Sequence, residues 1–212
     1  MKTVICSHGF AMRADSAGVF TDIAAAFPSY DFKMFDYYDI KPNGDQTIRS
    51  LDEQAKILQQ QIDDAPDGEI ILLCHSQGST VAGLVDLQRV SKIILLAPPI
   101  EISRAGLINR MRHRKGAKLN PYGTSTIPRS NGTTMTIPVE YMDSIEAHNR
   151  LALYQKMAGT KPTTIIRAAQ DEILGHTDFG GVRGVDVIDV DADHNFTKST
   201  RKNLITALQA VL

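Results

Sequence analysis

Six short runs of β-branched and aliphatic residues recur along this chain, separated by stretches whose apolar residues fall at helical spacing. They are KTVICS (2–7), DFKMFD (31–36), EIILLC (69–74), SKIILLA (91–97), PTTIIRA (162–168) and GVDVIDV (184–190). Most are apolar at consecutive positions, as strands covered on both faces must be; a strand with one wet face alternates instead. Such strands alternating with helices predict an α/β fold, a six-stranded, mainly parallel sheet flanked by helices. Ile23, Ala24 and Phe27 mark one helix, and Ile48, Leu51, Ala55, Leu58 and Ile62 line one side of the next. Val81, Leu84 and Val85 follow the third run, and a last helix is expected from about Lys198 to the end, carried by Leu204, Ile205, Leu208 and Leu212.

One stretch breaks this rhythm. From Pro98 to about Asp143, Pro, Gly, Ser and Thr accumulate and neither period holds. A long structureless connection inside a compact domain is uncommon unless it has a function. The expectation is therefore a single domain over residues 1–212, with 98–143 as a lid-like insertion over a site.

Composition narrows the function classes. At 212 residues, 42% hydrophobic and 22% charged, the chain is long enough to bury a sizeable core. A formal net charge of -1 gives no global attraction to nucleic acid or to an anionic membrane. Cys6 and Cys74 each sit inside an apolar run and form neither a disulfide framework nor a CxxC metal site. There is no Gly-rich phosphate loop or clustered His/Cys ligand set, so neither cofactor nor metal is expected. With no signal-like or membrane-spanning run, the expected setting is the cytoplasm, as a monomer or small homo-oligomer.

The chemistry concentrates at Cys74-His75-Ser76-Gln77-Gly78, between the run EIILLC and the helical pattern of Val81 and Leu84. Strand, sharp turn and helix is the setting a nucleophilic serine needs, because the turn lifts its hydroxyl above the sheet edge while small neighbours let strand and helix approach. Gly78 meets that demand; Cys74 stands where glycine is usual. A lone serine after a strand is more often a helix cap, so the rest of the chain must supply the weight. Acyl transfer needs two amides aimed at the developing oxyanion. Gln77 supplies one, and Phe10, in Ser7-His8-Gly9-Phe10 after the first strand, is the candidate for the other, with Gly9 expected to allow an unusual backbone conformation. Open α/β sheets gather their sites at the carboxyl edge. Asp171 follows PTTIIRA and His194 follows GVDVIDV, so Ser76, Asp171 and His194 all leave strand ends, in the chain order Ser, Asp, His. Glu172 competes with Asp171 as the acid, and His75 and His176 are the other histidines near these segments.

On these residues the chain resembles the α/β-hydrolase superfamily, more narrowly its compact esterase and serine-aminopeptidase-like members. The resemblance covers nearly the whole sequence and implies six parallel strands in the order 2-1-3-4-5-6. It further implies that His194 takes the Ser76 proton, that Asp171 steadies the imidazolium, and that a small carboxylic ester is cleaved through an acyl-enzyme. A peptidase or amidase, or a thioesterase, shares the same residues, and a non-catalytic binding protein on the same scaffold is the reading from another class.

Substrate contacts are expected from His8, Gly9 and His75 around the elbow and from the insertion. There Arg104, Arg110, Arg112, His113, Arg114, Lys115 and Lys118 make a basic run with Glu101 the only nearby acid. Either this is the wet face of a short helix whose apolar side is Leu107, Ile108 and Met111, or it attracts a carboxylate- or phosphate-bearing substrate through Arg110 and Arg112. Tyr141 and Met142 either line an acyl pocket or lie in the core. Cys6 and Cys74 end adjacent strands in the implied order, close enough for reversible oxidation.

Overall fold

A computed structural model describes residues 2–212. Ten strands occur among them: β1 (Lys2–Ser7), β2 (Asp31–Met34), β3 (Asp39–Ile40), β4 (Gln46–Thr47), β5 (Glu69–His75), β6 (Lys92–Leu96), β7 (Ser125–Pro128), β8 (Thr134–Ile137), β9 (Thr163–Ala168) and β10 (Val185–Val190). The helices are α1 (Val19–Ala26), α2 (Leu51–Asp63), α3 (Gln77–Ala82), α4 (Arg104–Met111), α5 (Val139–Ala147), α6 (Arg150–Thr160) and α7 (Arg201–Leu208). The six runs form one sheet in the order β10-β9-β6-β5-β1-β2, parallel at every pairing, which is the expected 2-1-3-4-5-6 arrangement.

Consecutive apolar residues of the central strands face opposite ways and fill two cores. Ile5, Leu72, Cys74, Ile93, Leu95 and Ile165 pack with α2, α3 and α6, and Val4, Cys6, Ile71, Leu73, Ile94 and Leu96 pack with α1 and α7. Each fully enclosed aliphatic side chain contributes about 1.5–3 kcal/mol. Cys6 pairs with Leu73, and Ser7 with Cys74, so the two thiols project from opposite faces of the sheet. Both are free and buried in different cores, which removes the geometric basis for their mutual oxidation.

Local sequence sets the helix ends. Ser50 accepts the Glu53 amide while Glu53 accepts the Ser50 amide, a capping box that fixes the start of α2. Ile48 is buried but precedes that helix, and the last helix begins at Arg201, three residues later than expected.

The 98–143 stretch is not structureless. It contains α4, the hairpin of β7 and β8, and the first part of α5. β8 also runs parallel to β4, giving a second, four-stranded sheet ordered β3-β4-β8-β7. Ile127, Met135 and Ile137 are buried while threonines alternate with them. The turn holds Asn131-Gly132, with Gly132 at φ 83°, the strongest short-range hairpin signal a sequence carries. Strands of two to four residues are too short for periodicity to reveal them.

Candidate active site

At the carboxyl end of β5 the chain reverses into α3 through Ser76, whose φ of 51° and ψ of -120° place a non-glycine residue in a disfavoured conformation. Such a conformation costs on the order of 1–3 kcal/mol and persists only where the surroundings enforce it. A Cβ at Gly78 would lie 2.1 Å from the Ser7 carbonyl oxygen, so only glycine lets α3 rest on β1. Ser7 Oγ donates to the Gly78 carbonyl at 3.0 Å and accepts from Tyr37 Oη at 2.6 Å, tying the two segments together. Cys74 is accommodated as a fully buried side chain, and burial pushes its thiol pKa up, leaving it a poor nucleophile.

The Ser76 hydroxyl meets His194 Nε2 at 3.0 Å, and His194 Nδ1 meets Asp171 Oδ2 at 2.7 Å. The carboxylate can only accept, so Nδ1 carries the proton and Nε2 is free to accept from Ser76. Both His194 and Asp171 side chains are only 5% exposed. Burial alone would raise the Asp171 pKa, but hydrogen bonds from His194 and the Leu174 and Ile173 amides outweigh it and hold the carboxyl below its ordinary range. Glu172 is occupied differently: its Oε2 accepts the His194 backbone amide at 3.1 Å. His176 is exposed and lies beside Arg167, away from this cluster.

Four residues expected to contact substrate are turned to other work. His8 is fully buried; its Nε2 accepts the Tyr37 amide at 3.1 Å, so Nδ1 is the protonated nitrogen and donates to the Gly9 carbonyl at 2.9 Å. His75 borders the cavity, yet its Nε2 donates to the His194 carbonyl at 3.0 Å and its Nδ1 accepts from Ser16 Oγ at 2.8 Å. Both ring nitrogens are thereby spent, one on the His194 loop and the other on the Ser16 segment, and burial pulls the His75 pKa down to about 3. Arg112 leans on His113, outside the cavity, because residues two positions apart on a helix point apart and Arg110 takes the cavity side. Met142 is fully buried in the core with Ile145 beneath α5.

The remaining candidates converge. Gly9, Phe10, Gln77, Arg110 and Tyr141 line a cavity of about 380 Å³ with Ser76 and His194 on its floor. Gly9 is needed for close approach and not for an unusual φ: a Cβ there would lie 3.2 Å from Ser76 Cβ. Among residues 8–12 the positive φ, 60°, falls on Ala11, and Tyr38 Oη clamps this segment by accepting the Ala11 amide and donating to the Gly9 carbonyl. The Phe10 and Gln77 amides, the two oxyanion candidates, have no recorded hydrogen-bond acceptor among the described residues. The Gln77 side chain is pinned between Gln54, at 2.8 Å, and Tyr141 Oη, at 2.5 Å, and the Tyr141 ring stacks on Phe10 with centroids 5.3 Å apart. Sequence reading missed Ser16, Tyr38 and Gln54, which lie on loops or inside a helix with no motif to mark them, and Arg129, which lines the cavity together with Arg114 of the basic run.

Chemically, this arrangement can remove a serine proton and hold the resulting imidazolium against a carboxylate. No group of three or more potential metal-ligating side chains occurs among the described residues. Among the described residues no helix is long and apolar enough to cross a membrane.

No protein-family model and no curated protein matches the sequence. Solved structures do match. A hydrolase from Pseudomonas aeruginosa PA01 superposes with TM-score 0.70 at 11% identity, over 99% of this chain and 89% of that one. A thermophilic esterase from Thermogutta terrifontis gives 0.68 at 14% identity over 99% and 88%, and a thioesterase domain from the curacin biosynthetic pathway gives 0.66 at 12% over 99% and 91%. Together with the strand order and the turn at Ser76, these likenesses identify the chain as a protein of the α/β-hydrolase fold.

Proposed function

We propose that the protein is a serine hydrolase that cleaves a small carboxylic ester through an acyl-enzyme. In this reading Ser76 attacks the carbonyl carbon while His194 takes its proton. The Phe10 and Gln77 amides stabilise the tetrahedral oxyanion, a contribution of roughly 3–4 kcal/mol per donor in comparable sites. His194 then returns the proton to the departing alcohol. Water, deprotonated by the same imidazole, releases the acid and restores Ser76. Asp171 keeps Nδ1 protonated throughout, so that Nε2 alone exchanges protons.

The observation that carries this reading is the continuous chain from Ser76 Oγ to His194 Nε2 at 3.0 Å and from His194 Nδ1 to Asp171 Oδ2 at 2.7 Å, beside a cavity that Phe10 and Gln77 also line. Rapid mixing with p-nitrophenyl butyrate tests it. A burst of p-nitrophenol equal to the enzyme concentration, absent in Ser76→Ala, is expected. Hydrolysis by folded Ser76→Ala at the wild-type rate would refute it. Rates on matched p-nitrophenyl ester, anilide and thioester substrates then rank the acyl-transfer chemistries, with the ester expected fastest.

A further inference from the structure

Resting on the ester-hydrolase reading above, we infer that the cavity selects an anionic substrate: an ester in which an apolar segment separates the scissile carbonyl from a carboxylate received by Arg110, Arg114 and Arg129. The basic run of the sequence divides in two when folded. Arg104, on α4, is neutralised by Asp143 at 2.5 Å and Glu146 at 3.3 Å and lies over the Tyr122 ring, outside the Ser76 cavity. Arg110 and Arg114 line that cavity and form no ion pair among the described residues; the one side-chain contact recorded for Arg110 is the neutral Ile173 carbonyl at 3.5 Å. Arg129 reaches the same cavity from the end of the β7–β8 hairpin. Its Nη1 donates to the Ala11 carbonyl at 3.1 Å and to Gln46 Oε1 at 2.8 Å, contacts that fix the side chain without cancelling its charge.

No aspartate or glutamate lines the cavity among the described residues; Asp171 sits behind His194. Arg110 and Arg114, both exposed, and Arg129, half-buried, therefore border one cavity, and Leu107, Met111, Ile127 and Met135 line it together with Ser76. Like charges gathered around one cavity repel one another, and an entering anion relieves that repulsion. A wholly apolar ester would cover these cations without pairing them, at a desolvation cost. A carboxylate instead accepts charge-assisted, bidentate hydrogen bonds, for which guanidinium is shaped. The apolar wall makes this a requirement on length as well as charge: the carboxylate must stand some methylenes away from the reacting carbonyl.

Two series of esters test this. In one, p-nitrophenyl hemiesters of dicarboxylic acids of increasing length carry the carboxylate on the acyl side; in the other, butyrate esters of ω-hydroxy acids carry it on the alcohol side. Each is compared with its methyl-terminated isostere. We expect kcat/KM to favour the anionic member of one series by about tenfold or more at low ionic strength, with a maximum at one chain length and a decline towards parity as salt shortens the Debye length to below ~8 Å. The double variant Arg110→Gln, Arg114→Gln should bring the anionic-to-neutral ratio to within about threefold of unity, and Arg114→Glu should push it lower still. Arg104→Gln, on the same helix but outside the cavity, should leave the ratio where it was. Neutral isosteres cleaved as well as or better than anionic members in both series would overturn the inference while leaving ester hydrolysis standing. Failure of every ester in a folded, pure enzyme would overturn both.

Discussion

The floor and the wall of the cavity are built in opposite ways. The floor, at the carboxyl ends of β1, β5, β9 and β10, buries its polar groups and gives nearly every one of them a partner: His194 and Asp171 side chains are 5% exposed, His8 and His75 spend their ring nitrogens on neighbouring loops, and Gln77 spends its amide on α2 and α5. The wall, from α4 to α5, keeps charge at the surface and leaves Tyr122 83% exposed. A fully paired, water-poor network holds reacting groups in register and strengthens each electrostatic contact, whereas exposed cations can be exchanged without disturbing the chemistry. On the proposed reading, the floor carries the reaction and the wall selects the substrate.

The largest effect that separates the two regions should come from the acid. Asp171→Asn would favour the wrong imidazole tautomer and lower kcat by on the order of 10⁴-fold. Glu172→Gln, which alters only an acceptor for the His194 amide, should cost about tenfold or less; equal losses would show that the acid is not Asp171 alone. Packing should sort next. Gly78→Ala must displace a Cβ now 2.1 Å from the Ser7 carbonyl, so thermal denaturation should register a loss of about 1–3 kcal/mol or misfolding. Tyr122→Ala, in the wall, should shift stability by less than about 0.5 kcal/mol.

The most conditional effect is on acid stability. His75 in the folded protein takes up a proton only near pH 3, whereas an unfolded histidine does so near ~6.5. Below ~6.5 the unfolded chain therefore binds a proton that the folded chain refuses, and stability falls as pH falls towards 3. Burial lowers the His8 pKa as well, in the same direction. Between about pH 6.5 and 5, above the range of unfolded carboxylates, urea denaturation should show a decline that is shallower in His75→Gln. An unchanged slope would mean that His75 charges freely in the folded state.

The same contrast explains what could be read from the sequence. The six central strands were legible because burial on both faces forces runs such as EIILLC and KIILL, and the sheet order followed from the resemblance those runs and the elbow supported. The positions of Ser76, Asp171 and His194 were legible because each leaves a strand end. The supporting contacts were not. Nothing local marks Tyr38 as the clamp on Gly9, or Gln54 as the partner of Gln77, because these pairings join segments distant in sequence and depend on packing. The wall was misjudged as irregular because its strands are short, although Asn131-Gly132 between Thr-rich runs signalled the hairpin. Arg112 and Met142 were assigned from composition alone; the helical faces on which they fall direct one to solvent and the other into the core.

The most direct test of the floor is covalent. A fluorophosphonate should label the protein at one serine per chain, peptide mapping should place the adduct on Ser76, and both Ser76→Ala and His194→Ala should abolish rapid labelling. An adduct on another serine, or no adduct on a correctly folded wild-type protein, would contradict the account.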